Sequence, residues 1–553
     1  MNIVSTNHAA DSSTNNNSDG ELAPEDTGHH ITSDLTNNHV QDNISIYRES
    51  WKAILKELFF NIIPDSLTIS FGYFSGLIVL LANLAFIGRH SDAKTLEAVG
   101  LGNVWINFVG INIVFGLNYG FETLASRVWG GGTQHVMGVY LKKTFIINFV
   151  IMVCCFFMLL YTKEIFVVMG QDELVSILIY KYVIVMFPGS CFLAFYDLFI
   201  MFLNSQNIFK PSMYIQIVTT ILHFGFCYIF VDVLGLNILG IAYAMNVTQG
   251  LNLFGIIMYL KFFWPERRSF DWGPKICSRK ILYNSWFKFL SIVVPISMSI
   301  ILEYASYEIN SFIAGLLENS VAAAHVALAN TGSVIYCIPE GFSTAITTFV
   351  GNAVGENKKF KAQKFAILGN ISGLFTLLIV MLFLVIFQSS WPSYFSQDEE
   401  VSTKIRDMLT LFAIMNILDT IQMNLSAVLK AIGKQNLTLL IYFVCLYLIA
   451  NPSSYLFGIT FKGDLEGIWY GTILGNFCMV VAFILILMRV NWDAEIARCK
   501  ALEEQEENDM KHLENEVSSI TTASEGKNIK SMFYKEFTKK EEIDNLNNFH
   551  KGH

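Results

Sequence analysis

Long apolar stretches without Asp, Glu, Lys or Arg recur along most of the chain. Each is at least about 18 to 20 residues long, which is the length a helix needs to cross the hydrocarbon core of a bilayer. Only α-helices and closed barrels satisfy their backbone polar groups there, and barrel strands would be about half as long with alternating polarity. The pattern therefore predicts membrane-spanning helices at residues 66–88, 98–121, 144–162, 211–231, 233–260, 365–397, 435–461 and 467–488.

Four further apolar segments differ from these eight because each contains one or two acidic residues. They predict spans at residues 182–203, 289–312, 322–350 and 408–431. The composition agrees, since only 15% of the residues are charged against about 25% in a typical soluble domain. We therefore expect an all-α membrane protein of twelve transmembrane helices.

The two halves of the span region resemble each other at an offset of about 225 to 227 residues. Phe115-Gly116 corresponds to Glu340-Gly341, and the run 240–244 corresponds to 467–471. Because each half has six spans, the second copy enters the membrane with the orientation of the first. The sequence predicts two six-helix lobes related by a pseudo-two-fold axis along the membrane normal, with a site at their interface.

The domain boundaries follow from these patterns. We expect a disordered tail at residues 1–47, an amino-terminal lobe at 48–263, a basic linker at 264–288, a carboxy-terminal lobe at 289–491 and a charged tail at 492–553. The charged tail is interpreted as a solvated helix followed by disorder, with regulation or partner binding as the alternative. Lys and Arg are concentrated in the loops on the side of the two termini, which predicts that both termini are cytoplasmic.

Several kinds of function find no support in the sequence. The nine cysteines have no zinc-type or redox-type spacing, no basic face indicates nucleic acid, and no phosphate-binding loop or hydrolase motif is present. We expect no catalytic residues, no metal site and no cofactor. Transport would then draw on a gradient of H⁺ or Na⁺.

Acidic residues inside the spans are the candidates for chemistry, because a charge near the bilayer centre costs roughly 2.5 to 3.5 kcal/mol. Glu303 and Glu308 lie in the seventh span after Pro295, and their spacing places them about 140° apart on an ideal helix. Asp419 is alone in the tenth span. A carboxylate facing a wet cavity can exchange a proton for a cation, whereas the alternative is a protonated acid bonded to backbone.

Other polar positions carry weaker signals. Glu122 and Glu340 are candidates for a cavity or gating role, with local structural bonding as the alternative. Tyr307 lies beside the two acids of the seventh span and can contribute a cation–π contact. Asp197, His223 and His325 are weaker candidates, and a histidine on an apolar face is more often a packing residue.

The segment from Pro295 to Glu308, with an acid eight residues after the proline and a second acid five residues later, resembles the eukaryotic type of the multidrug and toxin extrusion (MATE) family. The segments 115–126, 338–343 and 350–355 and the acid Asp419 before 427–433 agree in order. The resemblance covers about residues 57–492. It implies a V-shaped pair of lobes that exports organic cations in exchange for H⁺, or Na⁺ in some branches, with Glu303, Glu308 and Asp419 matching acids linked to cation binding.

Two positions depart from that family. Asn83, which is also a candidate for a cavity or gating role, occupies a first-span position where many bacterial members have Asp. Asn330 replaces an acid of some animal members. The expected protein is a proton-coupled antiporter for cationic or amphiphilic solutes, acting as a monomer in the plasma or vacuolar membrane. The alternatives are a Na⁺-coupled exporter, a lipid-linked precursor flippase, which would need a basic cavity, and an integral membrane acyltransferase, which would need a His and acid pair.

Overall fold

The computed structural model describes residues 55–90, 93–268, 270, 272, 286–395, 398–509 and 511. In these residues twelve helices are long and apolar enough to cross a membrane, which confirms the predicted number and all twelve positions. They are α1 Leu55–Arg89, α2 Lys94–Gly130, α3 Gln134–Leu160, α4 Glu173–Asn204, α5 Lys210–Val233, α6 Asn237–Phe262, α7 Trp286–Ala314, α8 Asn319–Gly355, α9 Lys359–Ile386, α10 Glu399–Ala431, α11 Gln435–Thr460 and α12 Asp464–Arg489.

The helices form two lobes of six, α1–α6 and α7–α12, related by a pseudo-two-fold axis. The lobes meet along a seam in which α2 packs on α7 and α8 packs on α1, which are symmetry-equivalent pairs, while α2 also packs on α8. We call the membrane face where α1 begins and α12 ends the terminal face, and the opposite one the distal face.

Close helix approach at the seam depends on two glycines that the repeat places at equivalent positions. Gly116 of α2 lies against Ser297 of α7, and Gly341 of α8 lies against Ser70 of α1. The serine hydroxyls donate to backbone carbonyls of the opposite lobe, at 3.3 Å for Ser297 and 3.4 Å for Ser70. Small residues that let backbones approach are the usual means of helix association in a bilayer, where no hydrophobic force acts between helices.

Several spans depart from regular α-helix geometry. Prolines occur inside α4, α7 and α8 at Pro188, Pro295 and Pro339, and each removes one backbone hydrogen bond. A π-helical segment, Asn107–Ile111, interrupts α2 midway. Two of these prolines therefore free backbone groups in α7 and α8, which are helices that carry candidate acidic residues.

A helix that we call α13 covers residues 492–509 after the last span. The expected helix is present and mostly exposed, but one face is not solvated, because Ile496, Cys499 and Glu506 are buried. Its apolar and polar contacts are made with both lobes at the terminal face. The predicted tail at 1–47 and most of the tail beyond residue 509 lie outside the described residues.

The predicted linker at 264–288 is described only in part. Trp264 is buried and packs edge-on against Phe202 of α4 and Trp272. Its indole N–H donates to Gln206 at 3.0 Å. The described end of this segment is therefore attached to the first lobe, while the exact lobe boundaries stay predictions.

Candidate cation site

A cavity of about 340 Å³ opens in the distal half of the second lobe, between α7, α8, α10 and α12. Its wall is mostly aromatic and apolar, with a few polar groups, which is the usual character of a small-molecule site. The lining side chains central to the chemistry are Tyr304, Tyr307, Glu308, His325, Tyr336, Phe412, Asp419 and Trp469.

Asp419 reaches this cavity from the middle of α10 and is 4% exposed. The hydroxyl of Tyr307 donates to its Oδ1 at 2.6 Å, and the amide of Gln422 donates to the same oxygen at 3.1 Å. Asn476 of α12 approaches at 3.5 Å. These donors are neutral, so they stabilise the carboxylate without cancelling its charge.

Glu303 lies on α7 one helical turn before Tyr307, on the side of the terminal face, and is 5% exposed. It lines a second, smaller cavity of about 40 Å³ at the seam, together with Lys430. Gln422 donates to Glu303 Oε1 at 2.8 Å as well as to Asp419. One amide group thus joins the two buried acids. The rings of Tyr304 and Tyr336 line both cavities and lie between the two cavities.

Glu308 does not join this pair. Its side chain is exposed and lines the larger cavity, whereas Glu303 lines the smaller one. The i to i+5 spacing on α7 is the physical reason, since it turns the two side chains in different directions.

Glu122 and Glu340 lie at the seam and line the smaller cavity. Tyr119 donates to Glu340 Oε1 at 2.6 Å, and Thr348 donates to Glu122 Oε1 at 3.3 Å. Both bonds cross from one lobe to the other. The alternative of purely local bonding therefore does not describe either residue, and the cavity or gating role stays a prediction.

Asn83 is remote from both cavities. It is buried in the first lobe, where its Oδ1 lies 2.9 Å from His223 Nε2. The other ring nitrogen of His223 lies 2.8 Å from the Thr248 hydroxyl. Asn83 therefore belongs to a polar network inside the first lobe and lines neither described cavity.

Sequence reasoning gave too little weight to three side chains near the acids. His325 lines the larger cavity, and its Nε2 lies 3.2 Å from the Ser311 hydroxyl. Gln422 is an ordinary polar residue in the sequence, and Lys430 is too far from Asp419 along α10 for the two side chains to meet on one helix. Lys430 lines the same small cavity as Glu303 of another helix, a proximity that spacing along one helix cannot indicate.

The described residues contain no group of three or more His, Cys, Asp or Glu side chains that could hold a metal ion. Aromatic faces can bind an organic cation through cation–π contacts, and the two acids supply negative charge. Twelve spans in two lobes, with such a cavity in the second lobe, define the class of the chain as a multi-pass membrane transporter.

Comparison with known proteins assigns the family. The MatE family model matches residues 69–229 and 295–456, one match in each lobe. The chain therefore belongs to the MatE family, the multidrug and toxin extrusion transporters.

Named relatives and solved structures agree with that assignment. Protein DETOXIFICATION 49 of Arabidopsis thaliana is 25% identical over 425 residues, which cover 76% of this chain and 84% of that protein. Multidrug and toxin extrusion protein 2 of Oryctolagus cuniculus is 25% identical over 403 residues, covering 73% of this chain and 66% of that protein. The crystal structure of the eukaryotic MATE transporter AtDTX14 shares the fold with a TM-score of 0.74 at 22% identity, covering 81% of this chain and 98% of that one.

Proposed function

We propose that this chain is a proton-coupled antiporter that exports organic cations or amphiphilic solutes by alternating access. The observation that carries the proposal is the pair Glu303 and Asp419, two buried acids joined by Gln422 beside an aromatic cavity. Intramembrane acids that face a cavity are the usual elements of proton and cation pathways.

Exchange follows from charge. A deprotonated Asp419 attracts a cation into the cavity, and a protonated one does not, so proton binding and cation binding oppose each other. Because Gln422 donates to both acids, a change at one alters the donors available to the other. We assign proton or cation binding to Glu303, Asp419 and, at the cavity wall, Glu308, with Tyr307 as an aromatic and hydrogen-bonding wall residue.

We assign the terminal face to the cytoplasm, because Lys and Arg are concentrated in its loops. The cavity then lies toward the outside of the cell or the lumen, while the seam closes the cytoplasmic half. This geometry corresponds to a state that releases solute and accepts a proton. A plasma or vacuolar membrane fits export in this direction.

A lipid-linked precursor flippase would need a basic cavity for a pyrophosphate group. The charged residues that line the larger cavity are instead the acids Glu308 and Asp419, which argues against that alternative. We keep Na⁺ as the alternative coupling ion and make it an arm of the experiment.

The test measures solute flux in vesicles with an imposed pH or Na⁺ gradient, using a panel of organic cations. We expect a pH gradient to drive flux, and Glu303→Gln and Asp419→Asn each to lower it by about tenfold or more. A tenfold change corresponds to about 1.4 kcal/mol of lost interaction. Glu399→Gln, an exposed acid at the start of the helix that carries Asp419, is the matched control and should retain flux.

Flux driven by pH that survives both substitutions would overturn the assignment of the acids. Flux driven by Na⁺ and insensitive to pH would overturn proton coupling while leaving the site in place.

A further inference from the structure

We propose that Glu122 and Glu340 are positioning residues that form a reciprocal clasp across the seam and hold the terminal half of the transporter closed. The proposal rests on alternating access in the proposed function, and it extends that function to the residues that set which face is open.

The clasp joins the two central seam helices in both directions. The acid on α8, Glu340, accepts from Tyr119 on α2, and the acid on α2, Glu122, accepts from Thr348 on α8. Glu122 is 1% exposed and Thr348 is fully buried, and Tyr119 and both acids line the small seam cavity. Each lobe thus supplies one acceptor and one donor.

A further contact between the lobes extends the network. The hydroxyls of Tyr73 and Tyr119 lie 3.0 Å apart, and Tyr73 lies 3.4 Å from the Thr344 hydroxyl of α8. The chain Thr344, Tyr73, Tyr119 and Glu340 therefore crosses the seam twice. Any opening of the terminal half that separates α1 and α2 from α8 must break the two bonds of this chain that cross the seam, Tyr73 with Thr344 and Tyr119 with Glu340.

Backbone packing fixes where the clasp lies. Gly130 at the end of α2 packs against the backbone of Asn352, and Gly355 at the end of α8 packs against the backbone of Arg127. These contacts close the seam nearer the terminal face, while the small cavity that contains Glu303 lies behind them. The clasp is therefore located between the candidate cation site and the terminal exit.

The local geometry of α8 explains why an acid can point across the seam. Glu340 lies between Pro339, which removes a backbone hydrogen bond from the helix, and Gly341, whose missing side chain admits Ser70 of α1. A carboxyl group at this distorted turn reaches the opposite lobe. The Tyr119 hydroxyl supplies this half-buried carboxyl with a donor only while the two lobes are in contact, so the bond favours the closed seam.

The experiment places a reporter cysteine, Ser343→Cys, in the small seam cavity and measures its labelling by a membrane-impermeant thiol reagent from each side of sealed vesicles. Protein with Ser343 intact corrects for the native cysteines. We expect Tyr119→Phe and Thr348→Val each to increase labelling from the terminal side several-fold, because each removes one donor of the clasp.

Two kinds of control separate the clasp from general destabilisation. Tyr196→Phe removes a buried tyrosine bond to Ser212 that stays within the first lobe, and should leave labelling unchanged. Thr348→Ser keeps the hydroxyl donor to Glu122, and Glu340→Gln keeps an acceptor for Tyr119. Both variants should show labelling close to that of the parent. Equal labelling of Tyr119→Phe and parent protein would overturn the clasp, and because labelling needs no ion gradient, this result is independent of which ion drives transport.

A second observation, the docking of α13, carries a separate proposal. We infer that α13 is a strap across the terminal face that must release from one lobe for that face to open. Its first half binds the second lobe, where Arg498 donates to the Gly433 carbonyl at 2.6 Å and Glu495 pairs with Lys434 at 2.5 Å.

The second half of α13 reaches the first lobe and the seam. Arg127 of α2, which is 3% exposed, points its Nη1 to Cys499 Sγ at 3.3 Å, and the buried Glu506 hydrogen-bonds Tyr140 of α3. Lys288 at the start of α7 donates to the Leu502 carbonyl at 3.2 Å. One continuous helix therefore joins elements of both lobes.

The strap is tested by a reversible cross-link between Gly131→Cys, after α2, and Glu503→Cys, whose native residues are close neighbours. We expect the cross-link to arrest solute flux and a reductant to restore it. The matched control is Lys500→Cys with Glu504→Cys, two exposed positions one turn apart on α13, where cross-linking should leave flux unchanged.

A second measurement covers the case in which the cysteine pair folds poorly. Lys288→Ala combined with Arg498→Ala removes one contact at each half of α13, and should increase terminal-side labelling of the Ser343→Cys reporter. Normal flux in the cross-linked 131 and 503 pair, or unchanged labelling in the double alanine protein, would overturn the strap.

Discussion

Gln422 is the residue that makes two separate acids into one site. It donates to Glu303 at 2.8 Å and to Asp419 at 3.1 Å, and all three side chains are buried. A hydrogen bond to a charged group contributes about 1.5 to 3 kcal/mol. The pair therefore depends on a neutral side chain that sequence reasoning had no ground to select.

Replacing this amide should impair transport. We expect Gln422→Leu to lower gradient-driven flux by about tenfold, since it removes donors from both acids at nearly constant volume. The control is Gln249→Leu, a buried glutamine of the first lobe that contacts Met245. Flux is measured in vesicles with an imposed pH gradient, and a Gln422→Leu protein with parental flux would contradict the bridging role.

Gly341 offers a second prediction at this scale, based on shape. A Cβ added to Gly341 would lie 2.6 Å from the backbone nitrogen of Ser70, a contact that only a shift of α1 against α8 can relieve. We expect Gly341→Ala to reduce flux by about tenfold, because overpacking of a tight contact costs roughly 1 to 3 kcal/mol.

Gly72→Ala is the matched control on α1, where an added Cβ meets no atom within 4 Å. It should retain parental flux. Parental flux in Gly341→Ala protein would contradict the prediction, because transport would then tolerate separation of α1 and α8 at this turn.

At the scale of elements, hydrophobic patterning identified the spans but not the docking of α13. Hydrophobic length was sufficient for all twelve membrane helices, because a bilayer imposes the same requirement on every span. The helix α13 has a high density of charge, which is typical of a solvated face. The burial of its few apolar contact residues, including Ile496 and Cys499, cannot be predicted without the surface on which they pack.

Docking of α13 should weaken as pH rises. Burial raises the pKa of Glu503 to about 7, and attraction to Arg127 opposes that change. The other charged groups that act on Glu503 are Glu506, Glu504 and Lys500. A free Glu has a pKa of about 4.3, so the docked helix binds the proton more tightly. The contribution to docking is therefore complete below about pH 4 and is lost as pH rises through about 7.

The measurement is hydrogen–deuterium exchange of α13 at about pH 6 and pH 8, corrected for intrinsic exchange. Corrected exchange should be several-fold faster at the higher pH. In Glu503→Gln protein the difference should disappear, and in Glu504→Gln protein, changed at an exposed neighbour, it should remain. A pH difference of the same size in Glu503→Gln protein would contradict the assignment.

The whole molecule is defined by the seam between two similar lobes. An even number of spans in the described residues predicts that both termini lie on one face, and the distribution of Lys and Arg predicts that this face is cytoplasmic. We expect epitope tags at the two termini to be digested together in inside-out vesicles and protected together in right-side-out vesicles. Protection of only one tag would contradict the topology, and digestion in right-side-out vesicles would reverse the orientation.

The amino-acid sequence was sufficient to predict the twelve spans and the repeat and to select Glu303 and Asp419 as candidates, because the bilayer penalises charge and short helices regardless of tertiary context. Which acids meet depends on the tertiary structure. Glu303 pairs with Asp419 through Gln422, Glu308 lies apart, Asn83 belongs to a different network, and Glu122 and Glu340 bond across the lobes. The reason is physical: periodicity fixes the direction of a side chain on its own helix, whereas its partner depends on the rotation and approach of another helix, which packing sets.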